Sequence, residues 1–185
     1  MIPKLRCTRL TISLSRSSGT LSLCSFLVLI VLALSSVESR ALGAEVVNIS
    51  PTLEPGTIVV RTGQRKLYYV VSPGKALRYS VGVGRAGKQW FGRTHIARMA
   101  LQPAWTPPAI IRGNRPAWIV PAGSPQNPMG AAALVLADSE LAIHGTNNPG
   151  SIGGFVSWGC IRMHNRDVMD LYSRVSVGMP VVISR

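Results

Sequence analysis

Seven prolines fall between Gln102 and Gly130, at positions 103, 107, 108, 116, 121, 125 and 128. Proline lacks a backbone donor and has a fixed φ, so this stretch reads as neither a helix nor a central strand. A long irregular connection in a compact domain is commonly a lid or a binding loop. The chain on either side must therefore supply the fold, and it does so in short β-branched runs. Residues 57–61, 66–71 and 76–83 read as strands, the last two joined around Pro73-Gly74 as a hairpin. Residues 94–100, 132–137, 140–144 and 180–184 read as further strands. One amphipathic helix is expected late in the chain. Asn165 is placed to cap it, Asp167 falls in its first turn, and Val168, Leu171, Tyr172 and Val175 share a face. The expected class is mainly β with one helix in the C-terminal half.

The first 44 residues stand apart from that pattern. Lys4, Arg6, Arg9 and Arg16 precede an uncharged stretch over 17–37, and Ala41 to Ala44 offers small residues for cleavage. This reads as a secretory signal, with an uncleaved membrane anchor as the rival. Cys24 does not make a lipoprotein box, because Leu23 stands where a small residue is needed. Either reading places the rest of the chain outside the cytoplasm, in the periplasm or cell envelope, and only the N-terminal segment would touch a membrane.

From Glu45 onward there are fifteen Lys and Arg against six Asp and Glu. Such a charge suits a polyanion. Export argues against nucleic acid and for an acidic surface such as wall glycopeptide or anionic lipid. Beyond the leader the only cysteine is Cys160. A lone thiol in an exported chain forms no internal disulfide and is an oxidation hazard. It lies in a Gly-rich turn, Ser157-Trp-Gly-Cys160, rather than in an apolar strand.

His144 ends an apolar strand, Gly145-Thr146 follow, and residues 147–154 form a polar, Gly-rich return to Cys160. A thiol nucleophile needs a base or a cationic neighbour, and backbone N–H groups to receive an oxyanion. His144 is the natural base. Gly159 has no side chain to obstruct the amides of Gly159 and Cys160. A zinc site built from His95, His144, His164 and Cys160 is not expected, since the set offers no C-x-x-C and no H-x-x-x-H pair. No metal and no cofactor is expected.

The ordered string of His144-Gly-Thr, a Gly-rich gap, Ser157-x-Gly-Cys160, Ile161-Arg162-Met163, Asn165 and a helix resembles the active-site signature of the L,D-transpeptidase catalytic domain family (YkuD type). Lys66 to Val70 looks like that family's opening hairpin, and Trp105-Thr-Pro-Pro108 like its middle loop. Asn127 to Gly130 and Leu141 to Gly145 look like the run into the histidine. The resemblance implies a β-sandwich-like catalytic fold over 57–185, after a short linker at 45–56 and the leader at 1–44. It implies an acyltransferase in which Cys160 attacks the L,D bond of a peptidoglycan tetrapeptide stem, with His144 as base and later acid. Gly159 and Cys160 would supply oxyanion amides, while Ser157, Trp158, Gly145, Arg162 and Asn165 would lie on the substrate side. D-Ala leaves, and an amine of a neighbouring stem resolves the thioester.

Two departures from the family's pattern stand out. Trp158 takes the place of a frequent histidine, which leaves His144 to move protons alone and makes Trp158 a candidate pocket wall. Gly92-Arg-Thr-His95 replaces a frequent Thr-Pro-Thr-Gly segment. Among the remaining candidates, His95 reads as exposed or structural, and His164 as a surface or capping residue. Trp105 and Trp118 read as loop anchors or sugar-stacking platforms. Arg162 is open between a salt bridge to Asp167 or Asp170 and a substrate carboxylate. Water or an envelope-protein amine are alternative acceptors, and a non-catalytic wall-binding module is the alternative from another class. The expected state is a monomer.

Overall fold

Period-two burial builds the strands. In β2 (Ile58–Arg61) and β3 (Lys66–Ser72), Ile58, Val60, Leu67 and Tyr69 turn to one side, Val59 and Tyr68 to the other. β3 leads through a Gly74 turn into the ten-residue β4 (Lys75–Gly84). The remaining strands are β1 (Glu45–Asn48), β5 (Gly92–Leu101), β6 (Ala132–Leu136), β7 (Ala142–His144), β8 (Phe155–Ser157), β9 (Ile161–Met163) and β10 (Pro180–Ser184). This computed structural model describes residues 44–137 and 139–185. The signal or anchor expected over 1–44 falls on the leader and, apart from Ala44, lies outside the described residues.

Eight strands close a ring in the order β4, β3, β2, β10, β5, β6, β7, β9 and back to β4. Closure depends on two long strands that change partners midway. β4 pairs with β3 over Lys75 to Ser80, then with β9 at Val81 and Gly82. β5 pairs with β10 through His95, then with β6 from Ile96. The result is the mainly β architecture that the sequence pattern predicts, sandwich-like as the resemblance implies, with its core inside the ring. Ile58, Val60, Leu67, Tyr79, Val81, Leu134, Ile143, Ile161, Met163 and Ile183 meet there. The eight-residue helix α2 (Asn165–Tyr172) packs on β6 and β7 and adds Val168 and Leu171 to this core.

Three expectations need correction. Residues 45–56 open with a strand rather than a linker: β1 pairs antiparallel with β4, and Val47, Ile49 and Leu53 cover the outer cluster of Val59, Tyr68 and Ala76. Apolar surface on the far side of β2 and β3 demands that cover. The proline-rich stretch does contain one helical turn, α1 (Ala109–Arg112). Pro107 and Pro108 stand ahead of it, where a missing N–H costs nothing, and Gly113 ends it at a φ of 59°. Asn165 is the first residue of α2 and not its cap; His164 holds the cap position without a capping side-chain bond.

Candidate active site

The site begins with two short parallel strands. In the β7–β9 pair Ile143 lies opposite Ile161, and His144 opposite Arg162. Side chains alternate across a strand, so Ile143, Ile161 and Met163 enter the core while His144 and Arg162 turn to the other face. Cys160 immediately precedes β9, two residues before Arg162, and shares that face. His144, Cys160 and Arg162 line one cavity of about 660 Å³, together with Ala142, Ser157 and Trp158. The opposite wall is the proline-rich loop, contributing Trp105, Pro107, Pro108, Ile110 and Arg112.

Cys160 is a free thiol on a turn braced from within. The Ser157 hydroxyl donates to the Cys160 carbonyl (2.6 Å) and accepts from the Gly159 amide (3.1 Å). Gly159 takes a φ of 130°, a conformation that side chains disfavour, and a Cβ there would crowd Leu141 and the Lys88 carbonyl. The Trp90 indole donates to the Gly159 carbonyl (3.3 Å). The Gly159 amide expected to serve an oxyanion is thus bonded to Ser157 in the resting chain. Ser157 itself is buried and shapes the turn.

His144 is 4% exposed. Its Nδ1 lies 2.6 Å from the Gly145 carbonyl. A carbonyl only accepts, so Nδ1 carries the hydrogen and Nε2 is the basic nitrogen. Burial holds the imidazole down to about 4 and the positive charge of Arg162 works in the same direction, against the carbonyls of Gly145, Pro128 and Met129. Burial also pushes the Cys160 thiol up, opposed by a backbone bond to Ala142 and by Arg162. Both shifts favour a neutral thiol and a neutral imidazole at rest, so proton transfer belongs with the attack and not before it.

Arg162 is not engaged by the helix. Asp167 pairs with Arg166 (3.4 Å), and Asp170 with Arg174 (2.7 Å) while accepting from the Tyr79 hydroxyl (2.6 Å). The Arg162 Nε is buried with no hydrogen-bond partner, and the side chain lines the cavity. Arg98 and Arg112 border the same cavity, with Glu140 as its acidic member. The salt-bridge alternative read from the sequence is therefore overturned, because both helix carboxylates have nearer cations.

Trp158 lines the cavity, with the Arg85 guanidinium stacked over its ring at 3.3 Å and the Lys88 ammonium at 5.3 Å. Trp105 bridges to Val120 and also lines the cavity, whereas Trp118 is outside it, under Arg115 at 5.2 Å. His95 is exposed on β5. His164 borders a separate small polar recess with Lys66, Tyr79 and Asp167. The Asn165 side-chain oxygen accepts from the amides of Ala131 (3.1 Å) and Thr146 (3.0 Å), tying the two segments that flank His144. Sequence reasoning missed this bond and the Arg85 stack. Both join residues far apart in the chain, and the only local hint was the placing of Gly130 and Gly145.

A closed ring of strands carrying a Cys/His/Arg face is matched by a known family. Residues 55–183 fit YkuD, the L,D-transpeptidase catalytic domain. The chain belongs to that family. It is similar to the probable L,D-transpeptidase YbiS of Escherichia coli (strain K12), at 35% identity over 140 residues, covering 70% of this chain and 44% of YbiS. It is also similar to the probable L,D-transpeptidase ErfK/SrfK of the same strain, at 37% over 137 residues, covering 68% and 43%. The chain thus spans less than half the length of these relatives. Among solved structures, L,D-transpeptidase 3 from Mycobacterium tuberculosis superposes with a TM-score of 0.57 at 14% identity, over 70% of this chain and 60% of that one. At that identity the likeness is one of fold.

Proposed function

We propose that this chain is a peptidoglycan L,D-transpeptidase working outside the cytoplasm, with Cys160 as nucleophile and His144 as its base. The observation that carries the reading is the β7–β9 register, which sets His144, Cys160 and Arg162 on one face of one cavity. The basic leader and apolar run support export, and three arginines around the cavity suit a substrate bearing carboxylates.

His144 Nε2 takes the Cys160 proton as sulfur attacks the carbonyl carbon of the third stem residue. The oxyanion of the tetrahedral intermediate is received by the Cys160 amide and by the Gly159 amide, which exchanges Ser157 for it. Collapse breaks the peptide bond; the imidazolium protonates the departing amine, and terminal D-Ala leaves. A thioester now joins the stem to Cys160. The amine of a neighbouring stem attacks it, His144 accepts that amine's proton and returns it to the sulfur, and a crosslink forms. Arg162, whose side chain lines the cavity, holds a stem carboxylate.

Purified protein incubated with tetrapeptide-stem muropeptides tests this by mass. Crosslinked dimers with loss of D-Ala are expected, and the wild-type thioester adduct should be missing from Cys160→Ala. Tripeptide monomers would mean that water resolves the thioester. Unchanged substrate would refute the catalytic reading.

A further inference from the structure

The imidazole of His144 is gripped by main chain alone. Its Nδ1 donates to the Gly145 carbonyl, and the carbonyls of Pro128 and Met129, from a segment distant in sequence, also act on the ring. Among the described residues no side-chain carboxylate or amide bonds to the ring, so its orientation depends on what holds those two segments together.

We propose that Asn165 is a positioning residue for His144, stapling segment 128–131 to segment 145–146 through one side-chain oxygen. This rests on the reading of His144 as the base. The oxygen accepts from Ala131 and Thr146 at once, one amide from each segment. The packing around it is specific. A Cβ on Gly130 or on Gly145 would overlap that same oxygen, and Gly130 also needs its φ of 65°. Two glycines thus make room for one amide. The Gly145 amide adds a bond to the Ala132 carbonyl (3.0 Å) along the same seam. With both segments fixed, the Gly145 carbonyl meets Nδ1, the hydrogen stays there, and Nε2 stays basic. The groups that face the ring from elsewhere are Cys160 and Arg162 at β9, with Glu140, Arg98 and Arg112 across the cavity. The tautomer is set by the Gly145 carbonyl and not by these groups.

Removing the amide frees two backbone N–H groups and lets the segments part, which costs the ring its carbonyl and admits water. Asn165→Asp keeps an acceptor oxygen at the same place for both donors and sits favourably in the first turn of α2.

Two readouts on the full chain test the staple: the ¹⁵N resonances of the His144 ring, and the rate of Cys160 acylation by a carbapenem across pH. Wild type and Asn165→Asp are expected to show a single tautomer protonated at Nδ1 and similar acylation. Asn165→Ala should show mixed tautomers and acylation slower by roughly 10- to 100-fold. Its acid limb should move up toward the ordinary imidazole range as burial is lost. Should Asn165→Ala not fold, Asn165→Ser, with one oxygen on a shorter arm, makes the same comparison with Asn165→Asp. Wild-type ring signals in Asn165→Ala, or Asn165→Asp as impaired as Asn165→Ala, would overturn the staple. A His144→Ala chain that is acylated at the wild-type rate would instead refute His144 as base, whatever the ring resonances show.

Discussion

The two walls of the cavity are held by different means. His144, Cys160 and Arg162 stand on or beside β7 and β9, inside a closed ring whose backbone bonds fix them in register. The facing wall, residues 102–130, has one helical turn and a single bridge between Trp105 and Val120. Its main fastening is one side chain. Asn127 donates to the carbonyls of Pro103 (2.8 Å) and Pro121 (3.1 Å) and accepts from the Met129 amide (2.9 Å). Groups that move protons need positions fixed to fractions of an ångström, and a ladder supplies that. A surface that meets a variable polymer tolerates a looser frame.

The comparison is broken most severely on the strand side. His144→Ala should lower turnover by roughly 10²–10⁴, while His95→Ala and His164→Ala remain near wild type; steady-state kinetics on a soluble stem peptide reads this. Equal losses at all three would erase the distinction.

Acid should strike the same wall. The His144 imidazole has its ordinary value of 6.5 in the unfolded chain and about 4 when folded. Below pH 6.5 the unfolded chain takes up a proton that the folded chain refuses, so this contribution to stability falls with pH and is lost near pH 4. At 1.36 kcal/mol per unit, the loss is about 3 kcal/mol. Denaturant unfolding of wild type and His144→Gln at pH 7.5 and 4.5 isolates it, because every other titrating group is common to both. A stability loss equal in the two proteins would show that His144 is not held neutral by the fold.

Arg162 sharpens the contrast between fixed and loose contacts. If a planar fork is needed for a carboxylate, Arg162→Lys should raise KM almost as much as Arg162→Ala, by roughly 10-fold or more. A mild lysine variant would refute bidentate recognition. The smallest effect belongs to the loop. Asn127→Ala should raise KM severalfold and leave kcat nearly unchanged, with local unsatisfied groups costing about 1–3 kcal/mol. A drop in kcat comparable to that of His144→Ala would show that the loop wall is part of the chemistry.

Much of the strand side was legible in the sequence. Short apolar runs, Pro-Gly turns and the spacing of His144, Gly159 and Cys160 are local signals, and strand alternation carries them to one face. Asn165 was misread because a residue opening a helix usually serves that helix; its partners, Ala131 and Thr146, are brought to it only by tertiary packing. Glu45–Asn48 was misread for a similar reason: nothing within four residues reveals an outer cluster at Val59 and Tyr68 that needs cover. The salt bridge read for Arg162 did not form because Arg166 and Arg174 pair with the helix carboxylates.

β4 touches β1, β3, β8 and β9, more neighbours than any other strand among the described residues. Its amides should therefore be the last to exchange with heavy water, released only when the whole domain opens. Cys160 and Arg162 hang on that strand through β9, while residues 102–130 do not. Heating should free the loop's amides first, and the nucleophile should keep its setting until the cooperative transition itself.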